Sequence, residues 1–153
     1  MNHQEYKFKS KQTFWVLLIY WFTIGVSIFA IVMVLLKGSE ENIWIKVFAI
    51  VMMSLSAGLI IWIWLGTRYV VREEKLYYYS GPVRGVIPIN SIRKLEVGRT
   101  LWVGVRPALA TGGIIIYYGS SDLIYVSPDT NEKFIQCITA INHKIQVDRQ
   151  LFK

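Results

Sequence analysis

Hydrophobic positions follow two regimes along this chain. From Phe14 to Leu36 and from Val47 to Gly66 they run almost unbroken, while after Thr67 they come in short bursts divided by turn residues. The first run is 23 residues long and carries no formal charge. At about 1.5 Å of helical rise per residue it spans roughly 35 Å, more than the ~30 Å hydrocarbon core of a bilayer. Thr23, Ser27, Ser54 and Ser56 interrupt the two runs too rarely to form the polar stripe of a surface helix. The pattern predicts a two-helix transmembrane hairpin over 14–66. A tail over 1–13 precedes it, and one small domain over 67–153 follows.

The first run is also longer than the roughly 7 to 15 residues of a signal-peptide core, and no small-x-small cleavage pattern follows it, so it reads as an uncleaved anchor. Trp15, Tyr20, Trp21, Trp44, Trp62 and Trp64 lie near the ends of the runs, where aromatic rings anchor spans at the interface. Thr23 with Ser27, and Ser54 with Gly58, have the small-x-x-x-small spacing that lets helices approach closely in lipid. No ionisable residue lies deep in either run, which argues against a transport path. Lys7, Lys9 and Lys11 precede the hairpin and Arg68, Arg72 and Lys75 follow it, whereas the connection mixes Lys37 and Lys46 with Glu40 and Glu41. The expectation is a multi-pass cell-membrane protein with both termini cytoplasmic.

After the hairpin the alternation is that of strands. Arg68 to Arg72 and Leu76 to Tyr79 flank the charged turn Glu73-Glu74-Lys75, and Ser80-Gly81-Pro82 marks the next turn. Val86 to Ile92 and Arg93 to Val97 supply further strands, with Pro88 removing a ladder donor and so marking an edge or a bend. An irregular stretch, Gly98 to Gly112, leads into a second hairpin of Ile114 to Tyr118 and Leu123 to Val126 across Gly119-Ser120-Ser121-Asp122. Phe134, Ile138, Ile141 and Ile145 recur at helical spacing, predicting an amphipathic helix of about four turns that covers the sheet. Ser127, Asp129 and Thr130 are candidate caps for it, Lys144 suits its last turn, and Cys137 packs as a small hydrophobe.

These residues carry a resemblance. Arg68 to Glu73, Leu76, Ser80-Gly81-Pro82, Ile87-Pro88, Ser91-Ile92, Pro107-Ala108-Leu109, Ile114 to Tyr118 and Val126-Ser127-Pro128 ahead of an amphipathic helix resemble the YyaB-like bacterial PH-domain membrane proteins. The chain departs from that pattern at Ala110 to Gly113, where relatives usually carry polar or charged residues. The resemblance implies a membrane α-hairpin followed by an α+β PH-like domain, a bent antiparallel sheet closed by a C-terminal amphipathic helix. It supports fold and location more than any reaction.

Chemistry is sparse. Asp122, Asp129, Glu132 and Asp148 are scattered, the glycines match neither a dinucleotide fingerprint nor a P-loop, and His3, His143 and the lone Cys137 suggest neither metal nor disulfide. The expectation is a non-enzymatic protein without cofactor. Charge says more. The chain carries a net +7, and between Arg68 and Arg106 eight basic residues (Arg68, Arg72, Lys75, Arg84, Arg93, Lys94, Arg99, Arg106) face three acidic ones (Glu73, Glu74, Glu96). From Pro107 onward Lys133, Lys144, Arg149 and Lys153 balance Asp122, Asp129, Glu132 and Asp148.

The ordinary reading of that excess beside the bilayer is a positive-inside signal on solvated strand edges; the functional reading, given less weight, is contact with anionic lipid headgroups. Trp102, between Leu101 and Val103, is a further candidate for interface or partner contact; the competing expectation is that this loop folds back on the sheet. A binding or scaffold module at the cytoplasmic face is the leading expectation. The alternatives are an envelope-defence protein that meets antimicrobial peptides, or a subunit of a membrane-protein complex. Nucleic acid is not expected as a partner, because no recognition motif accompanies the charge.

Overall fold

A computed structural model of the chain describes residues 5–36, 43–101 and 104–149. Its elements are β1 (Tyr6–Lys9), α1 (Phe14–Leu36), α2 (Ile43–Gly66), β2 (Arg68–Arg72), β3 (Lys75–Ser80), β4 (Val83–Pro88), β5 (Ile92–Val97), β6 (Ile114–Tyr118), β7 (Asp122–Val126), α3 (Asn131–Ile141) and β8 (Gln146–Arg149).

Both long helices are long and apolar enough to cross a membrane, and a helix satisfies its backbone groups internally, as such a crossing requires. α2 begins at Ile43, earlier than the apolar run suggests, and so takes Lys46 into its first turns. Neither helix is buried by protein. The mean hydropathy of the candidate spans is 2.4 and 2.2, with no residue of either window inside the fold, and Phe22, Leu36, Trp44 and Leu65 are 70% exposed or more. Apolar surface on that scale needs a nonaqueous neighbour. Thr23 and Ser27 donate their hydroxyls to carbonyls one turn back, at 2.8 and 2.9 Å, leaving no polar track along α1. A Cβ on Gly58 would meet nothing within 4 Å, so the expected Ser54–Gly58 close approach is not made. An edge-to-face contact between Trp21 and Trp64, centroids 6.2 Å apart, joins the helices instead.

The domain consists of two four-stranded sheets, ordered β1-β2-β3-β4 and β7-β6-β5-β8. Two corrections concern the ends of the chain. Residues 1–13, expected as a tail, supply β1, which pairs antiparallel with β2 from across the hairpin, Lys9 opposite Arg68 and Phe8 opposite Tyr69. Phe8 is the reason: it is 8% exposed and packs edge-on against Phe134 at 5.2 Å. At the other end, α3 stops at Ile141 and does not reach Ile145. Asn142 leaves helical angles, accepts the Lys144 N–H on its side-chain oxygen at 3.1 Å, and donates to the Ile89 carbonyl at 3.1 Å. The following residues form β8, parallel to β5, so a strand succeeds the helix.

The passage between sheets also differs from the expected strand over Val86 to Ile92. β4 ends at Pro88, a 3-10 turn over Ile89–Ser91 intervenes, and β5 opens the second sheet. Proline cannot donate to a ladder, and β4 is an edge strand, as Pro88 suggests. The Ile89 N–H bonds the Glu74 carbonyl at 2.9 Å, and Ser91 donates to the Pro88 carbonyl at 2.7 Å. Inward residues of both sheets meet in one core with Phe134, Ile135 and Ile138 of α3, while Cys137 and Ile141 pack partly buried at its margin. Burial raises the Cys137 thiol pKa above its ordinary value.

Candidate functional site

The candidate site is the outer face of the first sheet. Period-two alternation turns Phe8, Tyr69, Val71, Leu76 and Ile87 inward, so the intervening residues all point the other way. Register then sets rows across the strands: Lys9, Arg68, Tyr79 and Arg84 in one, Lys7, Val70, Tyr77 and Val86 in the next, Arg72, Lys75 and Pro88 in the last. The first row lies next to the helix ends. Arg72 is about 13 Å farther along β2 at ~3.3 Å per residue.

Two tyrosines organise the cations. The Arg68 guanidinium lies 5.1 Å from the Tyr79 ring centre and that of Arg72 5.4 Å from Tyr77. With its face covered by Tyr79, Arg68 presents its N–H edge to anions, whereas Arg72 Nε also pairs with Glu73 at 3.7 Å. Arg72 is held above its ordinary pKa chiefly by a hydrogen bond with Tyr77 and by Glu73. Glu5 pairs with Lys7 at 3.3 Å, and these two with Arg68, Arg72 and both tyrosines line a shallow depression of 350 Å³.

The other candidate cations lie elsewhere. Arg93 and Lys94 belong to β5 on the second sheet and line a wide groove of 830 Å³ with Lys144 and Asn142. Their charge is largely committed: Arg93 donates to the Ser120 carbonyl at 2.8 Å, and Lys94 contacts Glu96 at 2.7 Å and Asp148 at 3.1 Å. Arg99 pairs with Glu96 at 3.3 Å, and Arg106 stacks on Tyr125 at 5.1 Å. Lys94, Arg99 and the Tyr117 hydroxyl all donate to Glu96, which is only 7% exposed; Lys94 foremost depresses its pKa, and Glu96 and Asp148 in turn raise that of Lys94. Trp102 and Val103 lie outside the described residues. Among the described residues that follow, Val105 bridges to Ile124 and the Tyr125 hydroxyl donates to the Ala110 carbonyl at 2.8 Å, so the segment over 105–110 lies against the second sheet.

Sequence reasoning thus grouped residues that the fold separates, and left Lys7 and Lys9 out of the site as topology signals. The only hint was the alternation Tyr6-Lys7-Phe8-Lys9, too short to be distinguished from a tail.

The motif residues meet around one buried hydroxyl. Tyr69 donates to the Pro107 carbonyl and accepts the Ser127 N–H at 3.0 Å, and burial raises its pKa. Beside it the Ser10 and Ser127 hydroxyls lie 2.9 Å apart, and both accept from the Leu109 N–H at 3.2 Å. The knot ties the Pro-Ala-Leu segment, the Ser-Pro before α3 and the chain before α1 to β2.

Residues 67–142 match the family model described as Bacterial PH domain. The chain is 32% identical over 117 residues to the protein named Uncharacterized protein YyaB of Bacillus subtilis (strain 168), a match that covers 76% of this chain and 78% of that one. The chain belongs to the YyaB-like bacterial PH-domain family. No solved structure matches it. The region matched to the family model opens at Thr67, so β1, with Lys7 and Lys9, lies outside it and joins the sheet from beyond.

Proposed function

We propose that this protein is a non-enzymatic, membrane-anchored binding module whose basic first sheet engages anionic lipid headgroups at the cytoplasmic face of a bacterial membrane. The observation that carries the reading is the pairing of β1 with β2. With α1 and α2 in the bilayer, strands that flank the hairpin can pair only on one side of it. Lys7, Lys9, Arg68 and Arg72 sit on that side, which is the cytoplasmic one by the positive-inside rule. Pairing also turns two topology lysines into part of a single charged face.

Each cation near an anionic leaflet contributes on the order of 1 kcal/mol, and tethering makes even weak contacts nearly intramolecular. The row of Lys9, Arg68 and Arg84 needs no reorientation to act, whereas Arg72 and Lys75 engage only when the sheet leans toward the surface. The interior hydroxyls of Tyr69, Ser10, Ser127 and Tyr125 are spent on backbone groups, which favours a binding role over a catalytic one.

The test uses the full chain in nanodiscs, with Cys137→Ser and an environment-sensitive fluorophore on Val86→Cys. Replacing zwitterionic by anionic lipid at low salt shifts the emission, and either salt or the triple change Arg72→Glu, Lys75→Glu, Arg84→Glu reverses the shift. Emission indifferent to both lipid charge and salt would sink the reading.

A further inference from the structure

At the base of the hairpin, the segment before α1 and the last turn of α2 enclose a cleft of 590 Å³. Lys9, Lys11 and Gln12 contribute from one side, Trp64 and Arg68 from the other, and Asp129 stands at the rim. The walls are built. The Lys11 N–H donates to the Ser127 carbonyl at 2.7 Å, the Asp129 N–H to the Lys9 carbonyl at 2.9 Å, and the Ser10 N–H to the Thr67 carbonyl at 3.4 Å. The lysines therefore stand on backbone pinned at both flanks.

Three features specify an occupant. The cations Lys9, Lys11 and Arg68 outweigh Asp129, so the cleft favours an anion. The Tyr79 ring covers one face of Arg68 and leaves its N–H edges for oxygen acceptors. The third is Trp64, a half-buried ring in the lining beside these cations, which gives the cleft an amphipathic wall.

Position decides between a soluble anion and a lipid. Trp64 ends an apolar helix whose neighbour Leu65 is 70% exposed, whereas Lys9 and Lys11 belong to the polar strand side. The cleft straddles the boundary between hydrocarbon and headgroup. We propose that it seats the phosphodiester of one anionic phospholipid, with the acyl chains lying along the helices. The site is discrete and one-to-one, unlike the diffuse contact of the sheet face, and it rests on the reading that α1 and α2 span the bilayer.

Native mass spectrometry of the full chain, released from nanodiscs of equal phosphatidylglycerol and phosphatidylethanolamine, tests this. The expected spectrum has a single phosphatidylglycerol adduct in preference to phosphatidylethanolamine. Lys9→Gln with Lys11→Gln lowers its retention roughly thirtyfold, while Lys9→Arg with Lys11→Arg keeps it and shows that the fold survives. Inorganic phosphate at millimolar concentration leaves the adduct in place; displacement would assign the cleft to free phosphate and overturn the lipid. A statistical ladder of both lipids, or an adduct indifferent to the glutamine changes, would also overturn it. The Arg72→Glu, Lys75→Glu, Arg84→Glu variant keeps the adduct while losing the Val86 probe response, so the two readings fail separately.

Discussion

At Gly81 the domain seats closely against α2. This glycine is the turn between β3 and β4, with φ of +55°, and a Cβ built there lies 2.5 Å from Ile63 Cγ1 and 3.4 Å from Ile63 Cα on α2. Gly81→Ala therefore meets two separable penalties. The left-handed backbone costs a non-glycine residue roughly 1–2 kcal/mol. Overpacking against Ile63 adds about 1–3 kcal/mol, because Cγ1 sits near the helix and cannot swing aside like the end of a long chain.

The total is about 2–5 kcal/mol, and at about 4–8 °C per kcal/mol for a domain of this size the midpoint should fall by at least ~8 °C. Ile63→Ala removes the opposing methylene, so in the double variant the packing penalty vanishes and only the backbone one persists. The cycle should show a favourable coupling of about 1–3 kcal/mol. The assay is thermal unfolding of the purified full chain in mild detergent, followed by near-ultraviolet circular dichroism. A fall of less than about 2 °C for Gly81→Ala, or additive effects in the double variant, would refute the close seating of the turn on α2.

Other expectations concern the domain itself. Tyr69→Phe leaves the buried Pro107 carbonyl and Ser127 N–H without the hydroxyl that bonds both; a loss of about 2–4 kcal/mol in urea unfolding is expected, and a loss below ~0.5 kcal/mol would contradict the knot. Glu73 and Glu74 both hold positive φ, at 52° and 57°, in the two-residue turn between β2 and β3; Glu73→Asn with Glu74→Gly should raise stability by about 1 kcal/mol or more, read as a higher melting midpoint. Glu96 has a depressed pKa in the folded state, so its contribution is full above the ordinary carboxylate value of 4.5 and is lost as pH falls through the lower folded value. Glu96→Gln should therefore lower stability near neutral pH and flatten its fall in acid, and an unchanged acid limb would count against the cluster with Lys94, Arg99 and Tyr117.

The sequence by itself determined everything that depends on neighbours in the chain. The lengths of the two apolar runs announced the helices, alternation announced β2, β3, β5, β6 and β7, and proline at 88 marked an edge. Such features are local, and local rules read them. The tertiary structure alone decided what depends on distant partners. Tyr6–Lys9 is a strand only because β2, on the far side of a two-helix hairpin, offers it a free edge and a pocket for Phe8. Asn142 ends α3 because carbonyls in the turn between the sheets await its side chain. Charge behaved likewise: a count along the chain pooled Arg68, Arg72, Lys75 and Arg84 with Arg93, Lys94, Arg99 and Arg106, while register kept the first four on one face of the first sheet and placed Arg93 and Lys94 on the second. Pairing and burial act across space, and linear patterns record only which residues are available for them.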